Sequence, residues 1–191
     1  YPPLPPSLGT GHYLGTDSRG WDVLAQIYGG LQLVFQAAFI YLGVTYAIGI
    51  TLGSLMGYLG GAFDIVVQRL IEILANVPFL YVVIIIADRL GRDDVTLVTI
   101  LLVLCIFSWI GITYYMRTAA YREKARDYVA AARVLGAGPV RVIFRHVLPN
   151  AVSIVVTLLP FSVVGVITAL TALDFIGFGF TPQQLLEGMD R

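Results

Sequence analysis

RTAAYREKARDYVAAARVLGAGPVRVIFRHVLPN, residues 117–150, is the one strongly basic segment of the chain, and it stands between two long apolar runs. Seven of the twelve basic residues fall in it (Arg117, Arg122, Lys124, Arg126, Arg133, Arg141 and Arg145), against two acids, Glu123 and Asp127. Apolar runs flanking a basic loop are the pattern of a polytopic membrane protein, because Lys and Arg concentrate on the cytoplasmic side. Composition agrees: 58% of the 191 residues are hydrophobic and 13% charged, with a mean hydropathy of +0.82, which lies outside the soluble globular range. The zero formal net charge conceals the asymmetry, and nothing in it points to nucleic acid.

Crossing the hydrocarbon takes about 20 mostly apolar residues, and four stretches qualify. They are 31–60, inside a charge-free run over 23–63; 65–87, with Arg69 and Glu72 near its start and Pro78 in its middle; 95–116, without charge; and 151–176, with Pro160 inside and Asp174 near its end. A cytoplasmic 117–150 makes 95–116 run inward and 151–176 outward. Alternation then puts 60–64 in the cytoplasm and both 1–28 and 87–94 outside. Arg89 and Arg92 on the outer side are offset by Asp88, Asp93 and Asp94. Arg69 and Glu72 fall one or two turns inside the cytoplasmic face, within snorkelling reach. Gly49, Gly53, Gly57 and Gly61 recur every four residues and predict a small-residue stripe for close helix packing. Pro78 and Pro160 remove backbone donors and predict kinks.

Within the basic segment, helical spacing puts Tyr128, Ala131, Ala132 and Leu135 on one face and Val140, Ile143, Phe144 and Val147 on another. Between them, Gly136-Ala137-Gly138-Pro139 supplies a break: Gly ends the first helix and Pro139 sits in the first turn of the second. Arg141 and Arg145, four apart, share the second helix's polar side. Spacing alone leaves two readings open, a connector whose arginines bind anionic headgroups and a docking element for another protein.

The segment resembles the signature loop of binding-protein-dependent ABC importer permeases, Glu-Ala-Ala, three residues and Gly, followed by Ile-x-Leu-Pro. Ala131-Ala132, Gly136 and Leu148-Pro149 match, while Ala130 stands at the Glu position and His146 at the Ile position. The peptide-permease branch is similar in both departures. So are Gly15-Thr16-Asp17, Gly20, Asp22-Val23-Leu24 and Tyr28-Gly29, and the stretch Leu173-Asp174-Phe175-Ile176-Gly177-Phe178-Gly179, whose Asp174 resembles the microcin-C-type oligopeptide permeases.

This resemblance implies an all-α polytopic membrane protein with the type I ABC importer permease core. Four transmembrane helices and a cytoplasmic helix-turn-helix coupling loop over 117–150 are expected, with 1–28 as an extracytoplasmic segment before the permease domain 29–191. It implies a bacterial inner-membrane location, a second permease subunit, two ATP-binding cassette subunits, an extracytoplasmic solute-binding protein and surrounding lipid. A spanning helix before residue 1 and another after 191 are also expected, so the chain reads as a fragment. The coupling surface would be Tyr128, Ala131, Ala132, Leu135, Gly136, Pro139, Phe144, His146, Leu148 and Pro149.

No phosphate-binding Gly-x-x-x-x-Gly-Lys-Ser/Thr loop is present, and Lys124, the one lysine, follows Glu123. The chain therefore reads as a non-enzyme with no cofactor of its own, ATP and Mg²⁺ belonging to the partner. Two histidines, His12 and His146, with one cysteine, Cys105, make no metal set, and Cys105 reads as a buried thiol. The start, YPPLPPSLGTGHY, has no signal-peptide pattern. Asn76 and Asp174 are candidates for the translocation path, with Gln32 and Gln36 as further polar groups. Two alternatives stay open: an ion-coupled secondary transporter, which would need intramembrane ionisable groups, and a membrane scaffold that moves no solute.

Overall fold

A computed structural model of the chain describes residues 3–9, 11–91 and 97–178. Arg92, Asp93, Asp94 and Gly179 lie outside them. The described part is helical: α1 (Val23–Leu59), α2 (Gly61–Ala75), α3 (Phe79–Leu90), α4 (Leu97–Lys124), α5 (Asp127–Val134), α6 (Pro139–Val142) and α7 (Leu148–Leu173), with π-helical turns at Ile143–Val147 and Asp174–Phe178. Helix is the expected answer for an apolar chain in lipid, where each backbone N–H must find its partner within the segment. Three helices are long and apolar enough to cross a membrane, and α2 with α3 forms a fourth span if the bent pair is counted as one.

The axis of the bundle is the α1/α4 pair. A Cβ at Gly49 would lie 2.7 Å from Cβ of Ile112, one at Gly53 2.7 Å from Cβ of Met116, and one at Gly57 2.8 Å from Cβ of Ala120. Contacts advance together along both helices, so α1 and α4 run parallel, as alternation requires of a first and a third span. The absent side chains let the backbones close to a distance that dispersion rewards. Gly61 is not part of this stripe. Both Gly60 and Gly61 have positive φ, 66° and 57°, and they turn the chain from α1 into α2. Around the pair the main core gathers Ala37, Ala38, Tyr41, Leu42, Leu104, Met116, Val166 and Leu170.

The second span departs from a single kinked helix. α2 and α3 meet at 66° across a short break. Pro78 brings no N–H, and it disfavours helical geometry at Val77 before it, so α2 ends on Asn76 and a new helix starts at Phe79. Pro160 causes no such interruption, and α7 continues through it. Spans one and three are longer than the apolar runs suggest. α1 begins at Val23 on an Asp22 cap, and α4 runs past Met116 to Lys124, so 117–124 is helix rather than loop. Arg117 consequently sits beside α2, where its Nε and Nη2 donate to Asp64 Oδ1 and Oδ2, both at 2.6 Å. Arg69 pairs with Glu72 at 2.6 Å on an exposed face.

The segment before α1 is folded onto its N-terminus. Asp22 Oδ1 accepts the Ala25 N–H at 3.0 Å while Oδ2 meets His12 Nδ1 at 2.7 Å. Asp17 Oδ1 accepts the N–H groups of Arg19 and Trp21 at 2.8 and 3.0 Å. The Ala25 amide and then His12 hold the Asp22 carboxyl below the ordinary value of 3.8, and the Trp21 amide and the Gln26 side chain do so for Asp17. A depressed folded pKa means stabilisation that is complete above the unfolded value and lost as pH falls through the folded one. Trp21 emission is therefore expected to show a transition below pH 3.8. The double variant Asp17→Asn, Asp22→Asn should abolish that transition, and an unchanged titration in it would refute the cap.

Candidate functional site

The residues of the basic segment form an elbow at the end of the bundle where α1, α4 and α7 converge. α4 ends at Lys124, and after the two residues Ala125 and Arg126 the chain re-enters helix as α5. α5 closes on a Schellman turn: Gly136 has φ +83°, its N–H donates to the Arg133 carbonyl at 2.9 Å, and the Ala137 N–H reaches back to Ala132 O at 2.9 Å. Glycine is required there because an L side chain at that φ is strained. Gly138 then caps α6 and Pro139 occupies its first turn, where no N–H is needed.

α6 is not a separate short helix. It runs through the π-helical turn Ile143–Val147 straight into α7. Leu148 N–H donates to Ile143 O, five residues back, so an extra residue is accommodated just before Pro149, which has no N–H to donate. This shifts the helical register and corrects the expected face. Val142, Ile143 and Val147 are buried, together with Tyr58, Ala120 and Val129, whereas Val140 and Phe144 project outward.

The result is an apolar surface that no other described residue covers. Val134 is 88% exposed, Leu135 87%, Val140 69% and Phe144 66%. Tyr128, Ala131, Gly136 and Pro139 are exposed beside them, and Ala132, His146 and Leu148 are half-buried. Pro149 is exposed at the start of α7. Arg141 and Arg145 flank the patch as exposed cations.

Two side chains not singled out by the spacing, Tyr58 and Glu123, hold the elbow in place. Tyr58, buried at the end of α1, has the Lys124 ammonium 5.8 Å and the Arg133 guanidinium 5.0 Å from its ring centroid, and its hydroxyl accepts from Arg133 Nε at 3.2 Å. Glu123, 6% exposed, lies in the last turn of α4, where the helix dipole disfavours a carboxylate. Its oxygens accept the Tyr128 hydroxyl and lie 3.6 Å from Arg122 Nε and 3.8 Å from Arg126 Nε. Burial first, and the Glu123 carboxylate second, push the Tyr128 phenol above its usual range. The Tyr128 ring in turn lies 6.0 Å from that of His146, so one residue of α5 touches both α4 and the π-helical turn leading into α7. A displacement of α5 thus bears directly on two spans.

The candidate path residues are not brought together with this surface. Asn76 ends α2, with Nδ2 donating to Glu72 O at 2.6 Å, and is exposed. Asp174 is exposed at the end of α7, three residues before Gly177 turns to φ +89°. Gln32 and Gln36 are exposed on α1. Cys105 is buried, and no cluster of metal-ligating side chains occurs among the described residues.

A family model described as binding-protein-dependent transport system inner membrane component matches residues 49–191. The chain is 40% identical over 176 residues to the peptidoglycan transport system permease protein YejE of Agrobacterium fabrum, covering 92% of this chain and 45% of that protein. It is 36% identical over 177 residues to the inner membrane ABC transporter permease protein YejE of Escherichia coli, covering 93% and 50%. To the dipeptide transport system permease protein DppC of Haemophilus influenzae it is 33% identical over 183 residues, covering 94% and 61%. The chain spans about half the length of the first two of these relatives.

Proposed function

Because the chain belongs to the family of binding-protein-dependent transport system inner membrane components, we propose that it is the transmembrane subunit of an ATP-driven importer and forms half of a translocation pathway for peptides or peptide-like solutes. The observation that carries this reading is the uncovered apolar elbow of Val134, Leu135, Val140 and Phe144, an aliphatic and aromatic patch of the kind that fills a groove on another protein. An ATP-binding cassette subunit is the proposed occupant, with a second one beneath a second permease subunit. ATP and Mg²⁺ belong to those subunits in this reading. An extracytoplasmic solute-binding protein supplies the solute at the Tyr13 and Trp21 end, and 117–150 faces the cytoplasm. The names of the relatives, which specify peptidoglycan and dipeptide transport, support the peptide class.

Mechanically, closure of the ATPase pair displaces α5. The Glu123 and Tyr58 contacts pass that displacement to α4 and α1, and His146 passes it to α7. Family membership does not support the ion-coupled alternative. The test is to purify the full-length protein with its copurifying subunits and reconstitute it. Two ATPase subunits and peptide uptake that stops without ATP are expected. A preparation that contains no ATPase, or uptake that persists without ATP and collapses with the ion gradient, overturns the proposal.

A further inference from the structure

Between α1, α4 and α7 lies a cavity of about 220 Å³ whose polar lining, among the described residues, is made of hydroxyl groups and contains no ionisable acid or base other than tyrosine. Thr45, Ser108, Tyr115 and Ser162 all open onto it. A second cavity, about 380 Å³, shares Tyr115 and Leu158 with the first and continues past Thr157 to Ser153 near the start of α7. Ser108 stands about halfway along the uncharged stretch of α4 between Leu97 and Arg117. Thr45 faces the same level, one turn before the Gly49 contact with Ile112. The two cavities therefore trace one hydroxyl-lined groove from mid-membrane to the end of the bundle that carries the docking elbow.

The hydroxyls differ in how they are satisfied. Ser162 shares a hydrogen bond of 2.9 Å with Tyr46. Thr157 donates to the Ser153 carbonyl at 2.7 Å, which leaves its oxygen lone pairs free to accept. Thr45 is only 2% exposed and lines the cavity, and its hydroxyl is held by the Cys105 thiol, a weak hydrogen-bond partner. A buried hydroxyl held only by a thiol gains when a visiting donor or acceptor gives it a stronger hydrogen bond. With every polar group neutral, the groove offers hydrogen bonds and no counter-charge, and a bare ion would gain nothing there against its hydration.

We propose that this groove is the peptide-contacting face of the translocation path, and that Thr45, Ser108, Tyr115, Thr157 and Ser162 recognise main-chain amide groups, irrespective of side-chain charge. The inference rests on the peptide reading above and replaces Asn76 and Asp174 as the principal lining. Ser108→Cys, made in a Cys105→Ala background of the reconstituted complex, should be labelled by a small water-soluble thiol reagent and protected by a neutral, an acidic and a basic tripeptide alike. Thr45→Val should raise the peptide KM for uptake about fivefold, as loss of one hydrogen bond does. The maximal rate should fall less than twofold, and Thr45→Ser should restore KM. Protection by peptides of one charge only, labelling without protection, no labelling, or an unchanged KM in Thr45→Val overturns the assignment. Wild-type complex that moves no peptide overturns the functional reading and this inference with it. Wild-type uptake with an unprotected Ser108→Cys overturns this inference alone.

Discussion

Gly53→Val is expected to prevent assembly of the α1/α4 pair, whereas Gly43→Val, ten residues earlier in the same helix, should leave it intact. At Gly53 even a single Cβ would lie 2.7 Å from Cβ of Met116 and 3.0 Å from the Arg117 amide nitrogen, with the Thr113 carbonyl oxygen nearer still. Two of those three atoms are backbone, so no rotamer change can make room, and the helices must separate. Overpacking of a tight contact costs roughly 1–3 kcal/mol where side chains can adjust, and the cost here belongs at or beyond the top of that range. Separation also withdraws the neighbouring Gly49 and Gly57 contacts, because one rigid helix cannot part at a single turn. At Gly43 nothing lies within 4 Å of the added Cβ. Thermal unfolding of the purified complex followed by size-exclusion chromatography reads the difference. A loss of monodisperse complex for Gly53→Val with near wild-type behaviour for Gly43→Val is the expected result, and equal behaviour of the two would refute the stripe as the packing seam. Gly53→Ala should fall between them, since it carries the same Cβ without the two methyls.

The contrast between those glycines shows where sequence reading works. A spacing of four residues places Gly49, Gly53 and Gly57 on one helix face whatever the partner is, so the stripe is legible before the partner is known. Gly61 has the same spacing and fails, because spacing assumes that the helix continues, and two successive positive φ angles end it at Gly60 and Gly61. The break of span two at Pro78 is legible as a discontinuity, although its 66° angle depends on how α3 packs against α4. In the elbow, the Gly-Ala-Gly-Pro break announces itself because those residues have few other uses. The π-helical turn at Ile143–Val147 does not, and a register error of one residue is enough to exchange Ile143 and Val147 with the side chains that project. Tyr58 and the Asp64–Arg117 pair are unreadable for a different reason. Their partners lie across helix boundaries, 75 residues apart for Tyr58 and Arg133 and 53 for Asp64 and Arg117, and only the register between helices brings them together. The hydroxyl groove has the same origin: Thr45, Ser108 and Ser162 are unremarkable singly and meaningful only once α1, α4 and α7 are aligned.

Leu135→Asp is expected to uncouple the complex while leaving the membrane domain folded, and it separates docking from folding more cleanly than any change at the turn itself. Leu135 is 87% exposed in the isolated chain, so its replacement removes almost no internal contact and should alter the stability of this subunit by no more than about 0.5 kcal/mol. Full burial of a leucine against a partner contributes about 1.5–3 kcal/mol, which corresponds to roughly ten- to hundredfold in affinity, and a carboxylate forced into the same apolar contact adds a desolvation penalty. Uptake by the reconstituted complex should therefore fall at least tenfold, with the ATPase subunits lost from the complex or hydrolysing ATP without response to solute. Leu8→Asp is the matched control. It is 88% exposed as well, but precedes α1 at the far end of a helix about 55 Å long, and it should leave coupling unchanged. Gly136→Pro attacks the same surface from the backbone: proline fixes φ near −65° where the turn requires +83°, and it deletes the N–H that donates to Arg133. Holding a non-glycine residue in such a region costs of order 1–3 kcal/mol, so the Schellman turn gives way and α5 is re-aimed. That variant should insert and fold its spans, yet lose uptake as Leu135→Asp does. If Leu135→Asp retains wild-type uptake and solute-stimulated hydrolysis, the exposed apolar elbow is not the coupling surface, even where Gly136→Pro is inactive. Loss in both, with Leu8→Asp normal, is the pattern that a docking helix at this position demands.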